Sequence, residues 1–410
     1  MKLLVYNIPN TLNYGSMMMA ENLFYYLTQE PSGEKLELII ITPKPEETTT
    51  RLKKALQKID KKISIDTISS YNIFRGSGIK KLFSLATGFG VKNVLSSEIA
   101  DVDGVVVLGG DDFSEDYGYL GAIQQLIFFN RFNQAGKYVI LCGQTIGPFY
   151  SWRKPIFKYL FKNMTQIISR DPITFKYLTD EFELKNVSLG ADLAFLPLAR
   201  ENDDEHNIFI DKSYFTVVPS GLIWRYAKER DRFKYITFLA EACLYLYDKF
   251  PDSILLILPH VVRPDVNDDS LAGRDLYIML KRLGVKDSQM LFIQDQLLPY
   301  QARRLLKDSQ FVFTGRMHAA ISSFACGVPA LSLSYSRKYW GIIGEYLGLK
   351  DLIIDIREIG WDKVKEQSEQ RIDYIINNSE VIKAQIDIKV PEMREKALAS
   401  IRDVKSLLSR

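Results

Sequence analysis

The alternation of short apolar runs with longer amphipathic stretches constrains the fold more than any other feature of this chain. Runs such as LLVYNI, GVVVLGG and FVFTG have the length and composition of buried parallel strands. The stretches between them, such as MMMAENLFYYLTQE, have the periodicity of helices that cross back over a sheet. This pattern predicts an α/β protein with parallel sheets.

A polar segment, ARENDDEHNIFIDKS near residues 199–213, has the composition of a linker and contains His206. Roughly five strand-like runs lie on each side of it, which is the number expected of a Rossmann-like half. We therefore predict two Rossmann-like parallel-sheet domains facing a cleft, residues 1–200 and 201–388. The amphipathic stretch over residues 389–410 predicts a C-terminal helix that crosses back to the first domain.

The composition is that of an ordinary globular protein, with 47% hydrophobic and 25% charged residues. A net charge of +3 is too small to indicate a nucleic-acid partner. The three cysteines, Cys142, Cys243 and Cys326, are far apart in apolar contexts, which predicts buried thiols in a reducing compartment. The first apolar run is short, and no run approaches the roughly 18 residues needed to span a bilayer. We expect a cytoplasmic protein.

Ligands of open parallel sheets bind beyond the carboxyl ends of the strands, so those ends hold the candidate residues. In the first half, glycine turns and acids follow three strand-like runs. The acids at 111 and 112 suit a general base or ligands for sugar hydroxyls, whereas Glu115 and Asp116 suit helix stabilisation. For the first of these segments taken by itself, a plain strand-to-helix turn is the preferred interpretation. The first-half candidates are Asn13, Gly15, Gly109, Gly110, Asp111, Asp112 and Gln144.

In the second half, Arg225 and His260 come just after strand-like runs. His260 and His318, two of the three histidines, both follow second-domain strands and are expected to share one cleft. The acids Asp265, Asp268 and Asp269 lack the glycine and final glutamate of a calcium loop, so we interpret them as a solvated loop. No metal site is predicted, because neither histidine has a ligand partner at a standard spacing.

The stretch TGRMHAAISSFACGVPALSLSYS places two cations where a helix begins. Met317, Ala320, Ile321 and Phe324 recur at helical spacing and predict the buried stripe. Arg316 and His318 lie in the first turn, which already carries unpaired N–H groups and partial positive charge. An anionic ligand bound after Gly315 would balance them. The alternative is an internal Asp or Glu paired with Arg316.

The motifs NYGS, GGDDFSEDYG, GQTIGPF, SRDPIT, GADLAF and TGRMHAAISSFACGVPALSLSYSRKYWG occur in this order over about residues 7 to 350. Together they resemble the polysaccharide pyruvyl transferase family, and the last motif is the most specific. The resemblance implies a GT-B-like fold. It also implies transfer of the pyruvyl group of phosphoenolpyruvate (PEP) to a sugar of a cell-surface glycan or lipid-linked precursor, with release of phosphate and no further cofactor.

The resemblance also implies site residues. Arg316 and His318 match the family's Arg-x-His at the PEP carboxylate and phosphate. Ser334, Tyr335 and Lys338 match its Ser/Tyr and Lys, and Arg225 is a candidate second anion-binding arginine. We expect Arg316 and Lys338 or Arg225 to hold PEP, His318 to move a proton, and Asp111 or Asp112 to accept the hydroxyl proton.

Other interpretations remain open on the sequence. One is a GT-B glycosyltransferase that uses a nucleotide sugar. Another is a non-catalytic glycan-binding protein, in which Arg316 and His318 would be paired internally. The segment YSWRKPIFKYLFKNM, residues 150–164, mixes basic and aromatic residues that suit peripheral contact with an anionic membrane. The preferred interpretation there is an ordinary helix with buried aromatics and exposed lysines.

Overall fold

The computed structural model describes residues 1–8, 10–29, 35–69, 99, 101–115, 118–203, 208–263 and 267–409. The chain folds into two units. The first comprises Met1–Thr11, Ser16–Ala199 and Arg394–Arg410, and the second comprises Leu12–Gly15 and Arg200–Met393. Asp116, His206 and Asp265, named in the sequence analysis, lie outside the described residues.

The first unit is built on a parallel sheet whose described strands run in the order β3-β2-β1-β4-β5-β6-β7. The central strands β4 and β5 read GVVVL and YVILCGQ and are buried almost throughout, because helices cover both faces of a parallel sheet. The strands are β1 Lys2–Tyr6, β2 Leu36–Thr42, β3 Ile63–Ser69, β4 Gly104–Leu108, β5 Tyr138–Gln144, β6 Gln166–Ser169 and β7 Val187–Leu189.

Helices of the first unit pack an apolar layer against this sheet, with Leu126, Phe129 and Phe161 among the buried side chains. The described helices are α1 Tyr14–Gln29, α2 Pro45–Ala55, α3 Tyr119–Gln134, α4 Lys154–Lys162 and α5 Pro172–Lys176.

The second unit has the same strand order with one described strand fewer, β10-β9-β8-β11-β12-β13, all parallel. The strand order reverses between β8 and β11, which is where ligands of such sheets bind. The strands are β8 Tyr214–Val218, β9 Ile254–Ile257, β10 Met290–Phe292, β11 Val312–Thr314, β12 Ala330–Ser334 and β13 Ile353–Asp355.

The helices of the second unit alternate with these strands. They are α6 Arg232–Lys249, α7 Asp269–Arg282, α8 Pro299–Lys307, α9 Met317–Ala325, α10 Arg337–Tyr339 and α11 Trp361–Asn377. The last helix, α12, runs over Ser379–Leu408 and so begins before the predicted start at residue 389. Its end belongs to the first unit, where Arg394 Nε donates to the Phe195 carbonyl at 3.2 Å.

The predicted α/β class with parallel sheets is confirmed. The estimate of five strands in each half is too low, because the described part of the chain also contains β3, β7 and β13. These are edge strands, and β7 and β13 are only three residues long, too short to be recognised as apolar runs. Cys142 and Cys243 are buried as predicted, whereas Cys326 is only partly buried.

Candidate active site

The start of α9 lies at the carboxyl end of β11, beside β8 in the sheet. Thr314 Oγ1 accepts a hydrogen bond from the Arg316 N–H at 2.9 Å, which fixes the turn before the helix. A Cβ at Gly315 would lie 3.0 Å from the Ser220 Cβ, so a larger residue would crowd the end of β8. The predicted stripe of Met317, Ala320, Ile321 and Phe324 is buried as expected.

Arg316 is buried, with 8% of its surface exposed, and it forms an ion pair with Asp269. Its Nε lies 3.1 and 3.0 Å from the two carboxylate oxygens, and its Nη2 lies 2.6 Å from Oδ1. Burial alone would lower the pKa of Arg316, but the Asp269 carboxylate more than offsets this, so its pKa lies above the usual range. The expectation that a ligand anion balances Arg316 is therefore wrong, and the alternative of an internal carboxylate is observed.

Asp269 is the first residue of α7, and its carboxylate joins three strand ends. Its Oδ1 accepts from the Gly221 N–H after β8 at 2.8 Å. Its Oδ2 accepts from the N–H groups of Val261 and His260 after β9, at 2.8 and 3.3 Å. Because Asp269 is fully buried and Asp268 nearly so, the interpretation of these acids as a solvated loop is wrong. The sequence did contain a signal, because aspartate is a preferred N-cap residue at the start of a helix. In the structure Asp268 caps α7 by accepting from the Ser270 N–H.

Residues Leu12–Gly15 belong to the second unit, although their sequence position suggested the first domain. Asn13 forms an antiparallel bridge with Val261, and the Val262 N–H donates to the Leu12 carbonyl at 2.9 Å. A Cβ on Gly15 would lie 2.2 Å from His318 Nδ1, so the glycine leaves room for that imidazole. No local sequence signal predicts this long-range contact.

His260 is buried, with 1% of its surface exposed, so it does not offer its ring to a ligand as predicted. The Tyr14 ring packs edge-on at 5.3 Å between centroids, and the Tyr14 N–H donates to the His260 carbonyl. Burial, and then the nearby charges of His318, Arg316 and Arg303, lower the pKa of His260 well below its usual value. His260 is therefore neutral near pH 7. In contrast to the buried His260, His318 is partly exposed.

The end of β12 brings a lysine and tyrosines to the same region of the second unit. Lys338 Nζ donates to the Tyr335 hydroxyl at 3.1 Å and lies 4.8 Å from the centre of that ring. The Tyr335 ring stacks on Tyr226 at 5.3 Å, and the Tyr339 hydroxyl donates to the Gly315 carbonyl at 3.2 Å. Sequence reasoning found Tyr335 and Lys338 but missed the two other tyrosines.

Two further candidates in the second unit, Ser334 and Arg225, differ in their exposure. Ser334 is fully buried and its hydroxyl donates to the Ser336 carbonyl at 3.1 Å, so it shapes the turn rather than facing a ligand as predicted. Arg225 ends a short 3-10 helix, Ile223–Arg225, that follows β8, and it is partly exposed, with its guanidinium carbon 5.1 Å from the centre of the Trp224 ring. The ends of β8, β11 and β12 thus carry Arg225, the α9 start and Lys338.

In the first unit, Gly109, Gly110 and Gln144 make contacts with the backbone of neighbouring strands and turns. A Cβ on Gly109 would lie 2.1 Å from the Gly143 carbonyl oxygen, so only glycine allows this approach. The Gly110 carbonyl accepts from the Thr145 N–H at 2.9 Å. Gln144 is buried and its Nε2 donates to the carbonyls of Val107 and Leu108 at 3.1 and 2.7 Å.

The acids of the first unit are more accessible than its glycines. Asp112 is exposed, and its Oδ2 accepts from Asn7 Nδ2 at 2.9 Å, while Asp111 is partly exposed. Within the described ranges, no group of three or more His, Cys, Asp or Glu side chains is arranged to hold a metal ion. No described helix is long and apolar enough to cross a bilayer.

Comparison with known proteins connects this arrangement to a family. The family model for polysaccharide pyruvyl transferase matches residues 13–337, which is most of the chain. Among curated proteins, the amylovoran biosynthesis protein AmsJ of Erwinia amylovora is 21% identical over 366 residues, covering 87% of this chain and 83% of AmsJ.

Solved structures share the fold at low sequence identity. A UDP-GlcNAc 2-epimerase from Neisseria meningitidis bound to UDP-GlcNAc has a TM-score of 0.60 and 13% identity, with 100% of both chains covered. The Staphylococcus aureus MnaA–UDP structure has a TM-score of 0.58 and 15% identity, covering 94% of this chain and 91% of the other. A glycosyltransferase from Rickettsia africae has a TM-score of 0.55 and 11% identity, covering 100% and 99%. These matches establish a GT-B-like fold of two parallel-sheet α/β domains.

Proposed function

The chain belongs to the polysaccharide pyruvyl transferase family, and on that premise we propose that it transfers the pyruvyl group of PEP to a sugar of a cell-surface glycan or its lipid-linked precursor, releasing phosphate. One observation carries the proposal: the α9 start and Lys338 follow the adjacent strands β11 and β12, next to the point where the strand order reverses.

The ion pair between Arg316 and Asp269 changes how the anions of PEP would be held. The Asp269 carboxylate neutralises the charge of Arg316. In the proposal, Arg316 therefore orients PEP and donates hydrogen bonds to it, without adding net positive charge to the site. In the proposal, the additional positive charge comes from Lys338, whose Nζ donates to the Tyr335 hydroxyl at 3.1 Å, and from Arg225. In the proposal, the first-turn N–H groups of Met317 and His318, at the N-terminus of α9, complete the anion site.

The proposed reaction proceeds in two additions. The first acceptor hydroxyl bonds through oxygen to C2 of PEP as a proton is added to C3. The C2–O bond to phosphate then breaks, and a second hydroxyl of the sugar bonds to C2 and loses its proton, leaving a ketal and inorganic phosphate. His318, partly exposed beside these N–H groups, is the proposed donor of the C3 proton. Asp111 and Asp112 remain the predicted bases for the first hydroxyl.

The test is incubation of the purified full chain with PEP and a panel of glycans, following phosphate release and product mass. His318→Gln and Lys338→Met should lower turnover by at least about 100-fold, the scale of losing an acid catalyst or a charged contact. Lys350→Met, at an exposed lysine paired with Glu345, is the matched control and should keep the wild-type rate.

Ligand binding separates this proposal from a nucleotide-sugar transferase. PEP should raise the thermal midpoint of the wild type but not of Lys338→Met, because a ligand that binds only the folded state stabilises it. Stabilisation by UDP- or GDP-sugars without any effect of PEP would overturn the choice of donor. Unchanged turnover in both His318→Gln and Lys338→Met would overturn the site.

A further inference from the structure

Helix α4 of the first unit and the turn before it, Ser151–Arg153, divide their aromatic residues between two faces. Phe157 and Phe161 are fully buried, and Phe157 stacks on Phe149 at 3.8 Å between ring centroids. Trp152 and Tyr159 are instead 65% and 66% exposed, and Ile156 is 37% exposed. The preferred interpretation of this segment as a helix with its aromatics buried is therefore wrong for Trp152 and Tyr159.

The exposed residues form a single stripe. Trp152, Ile156 and Tyr159 are spaced by four and three positions, so they lie along one face of the helix. This face extends from Trp152, in the turn before α4, to Tyr159 in the second half of α4. Tyr150, 50% exposed, precedes them. We call Trp152, Ile156 and Tyr159 the aromatic stripe.

A neighbouring helix adds to the same region. The Arg153 guanidinium carbon lies 4.6 Å from the centre of the Tyr119 ring and 5.7 Å from that of Trp152. The start of α3 therefore lies beside the aromatic stripe, and its residue Leu120 is 63% exposed. Arg153 itself is held by two hydrogen bonds to the Glu115 carboxylate, at 2.9 and 2.7 Å.

The charges on α4 are all positive. Its sequence, KPIFKYLFK, contains Lys154, Lys158 and Lys162 and no acid. Lys154 and Lys158 pair with Glu181 and Glu183 at 2.7 and 2.6 Å. The lysine side chains of these pairs are 36% and 40% exposed and the glutamates 55% and 76%, so the pairs contribute little to stability and the lysines can exchange these partners for lipid phosphates. Lys162 is exposed at the end of the helix.

We propose that the aromatic stripe and the lysines of α4 dock the first unit on an anionic phospholipid surface. Tryptophan and tyrosine suit the headgroup region, because their rings are apolar and their N–H and O–H groups stay hydrated. The lysines supply charge complementarity to phosphate, whereas the core of a protein–protein interface is depleted in lysine. This inference does not depend on the proposed enzymatic activity.

Flotation of the full chain with vesicles of phosphatidylcholine alone, or of phosphatidylcholine mixed with phosphatidylglycerol, tests the proposal. The wild type should float with the mixed vesicles, and flotation should fall as salt is raised. The triple variant Trp152→Ser, Ile156→Ser, Tyr159→Ser should bind at least about tenfold more weakly. The variant Lys154→Gln, Lys158→Gln, Lys162→Gln should lose the preference for phosphatidylglycerol.

Phe233→Ser is the matched control, because Phe233 is 69% exposed on α6 of the second unit, and it should float like the wild type. Circular dichroism checks that each variant is folded, and Trp152→Phe should lose the blue shift of tryptophan emission seen on adding vesicles.

Absence of wild-type flotation, or equal flotation of wild type and triple variant, overturns the proposal. Concentration-dependent self-association that the triple variant abolishes, without lipid binding, assigns the stripe to a second copy of the chain and overturns it as well.

Discussion

Arg316 and Asp269 form a fork of three hydrogen bonds inside the second unit, with donor–acceptor distances between 2.6 and 3.1 Å. The same carboxylate also accepts backbone N–H groups after β8 and β9. The pair thus joins the ends of three strands around the α9 start. A buried pair of this kind is weak evidence for added stability, but breaking it leaves a charge buried without compensation.

Replacing Asp269 with asparagine preserves its shape and removes its charge. We expect Asp269→Asn to lower the free energy of unfolding by about 3–5 kcal/mol, because the Arg316 charge remains buried. Chemical denaturation with an unchanged m-value checks this. Asp275→Asn on the same helix is the control, since its pair with Arg232 is more than 40% exposed on both sides and should change stability by about 1 kcal/mol or less. Equal losses in the two variants would contradict the role given to Asp269.

Gly15 should tolerate no side chain. In Gly15→Ala the new Cβ would lie 2.2 Å from His318 Nδ1, so the imidazole must move. We expect a loss of about 1–3 kcal/mol in stability from overpacking, together with a fall in PEP-dependent turnover. Gly121→Ala, on the exposed side of α3 with nothing within 4 Å of its new Cβ, should instead gain about 0.5–1 kcal/mol.

A double mutant assigns the Gly15 effect to its contact with the imidazole. In a His318→Ala background, Gly15→Ala should cost much less stability than in the wild type, because the clashing ring is gone. If the cost is the same in both backgrounds, the contact is not the cause.

The stability of the protein should fall as the pH drops below about 6.5, in part because of His260. The folded-state pKa of His260 lies well below its ordinary value of 6.5, so in this range the unfolded chain binds a proton that the folded protein does not. The contribution reaches about 1.4 kcal/mol per pH unit below 6.5. It is absent above that pH.

Urea unfolding of wild type and His260→Gln between pH 8 and 5 isolates this contribution. The difference in unfolding free energy between the two proteins should be constant at high pH and should shift in favour of the variant as the pH falls. Parallel pH profiles over the whole range would show that His260 does not titrate as its burial requires.

Tyr335→Phe should weaken PEP binding without unfolding the protein. The change keeps the ring that stacks on Tyr226 and removes the hydroxyl that accepts from Lys338 Nζ at 3.1 Å. Loss of one hydrogen bond that positions a charged group predicts a rise in KM for PEP of about 2- to 10-fold with a smaller change in kcat. Tyr374→Phe, at a partly exposed position on α11, should leave KM unchanged. An unaltered KM with lowered stability would make the Tyr335 hydroxyl purely structural.

Local signals in the sequence were sufficient to predict the fold class. Apolar runs such as GVVVL and FVFTG mark strands because burial on both sheet faces demands continuous hydrophobicity. The spacing of Met317, Ile321 and Phe324 predicts the buried face of α9, and all three side chains are buried there. The same reasoning predicts that Arg316 and His318 lie at the helix start. The buried face of a helix and the position of its first turn both depend on neighbours within one turn of the chain.

The sequence by itself therefore determined the two parallel-sheet domains and the position of the Arg316–His318 pair. Only the tertiary structure decided what surrounds that pair. Asp269 lies 47 positions from Arg316, Gly15 belongs to the other end of the chain from His318, and His260 is covered by Tyr14. No periodicity encodes such separations, because the crossover topology of the sheet, not the local chain, brings those strand ends and loops together.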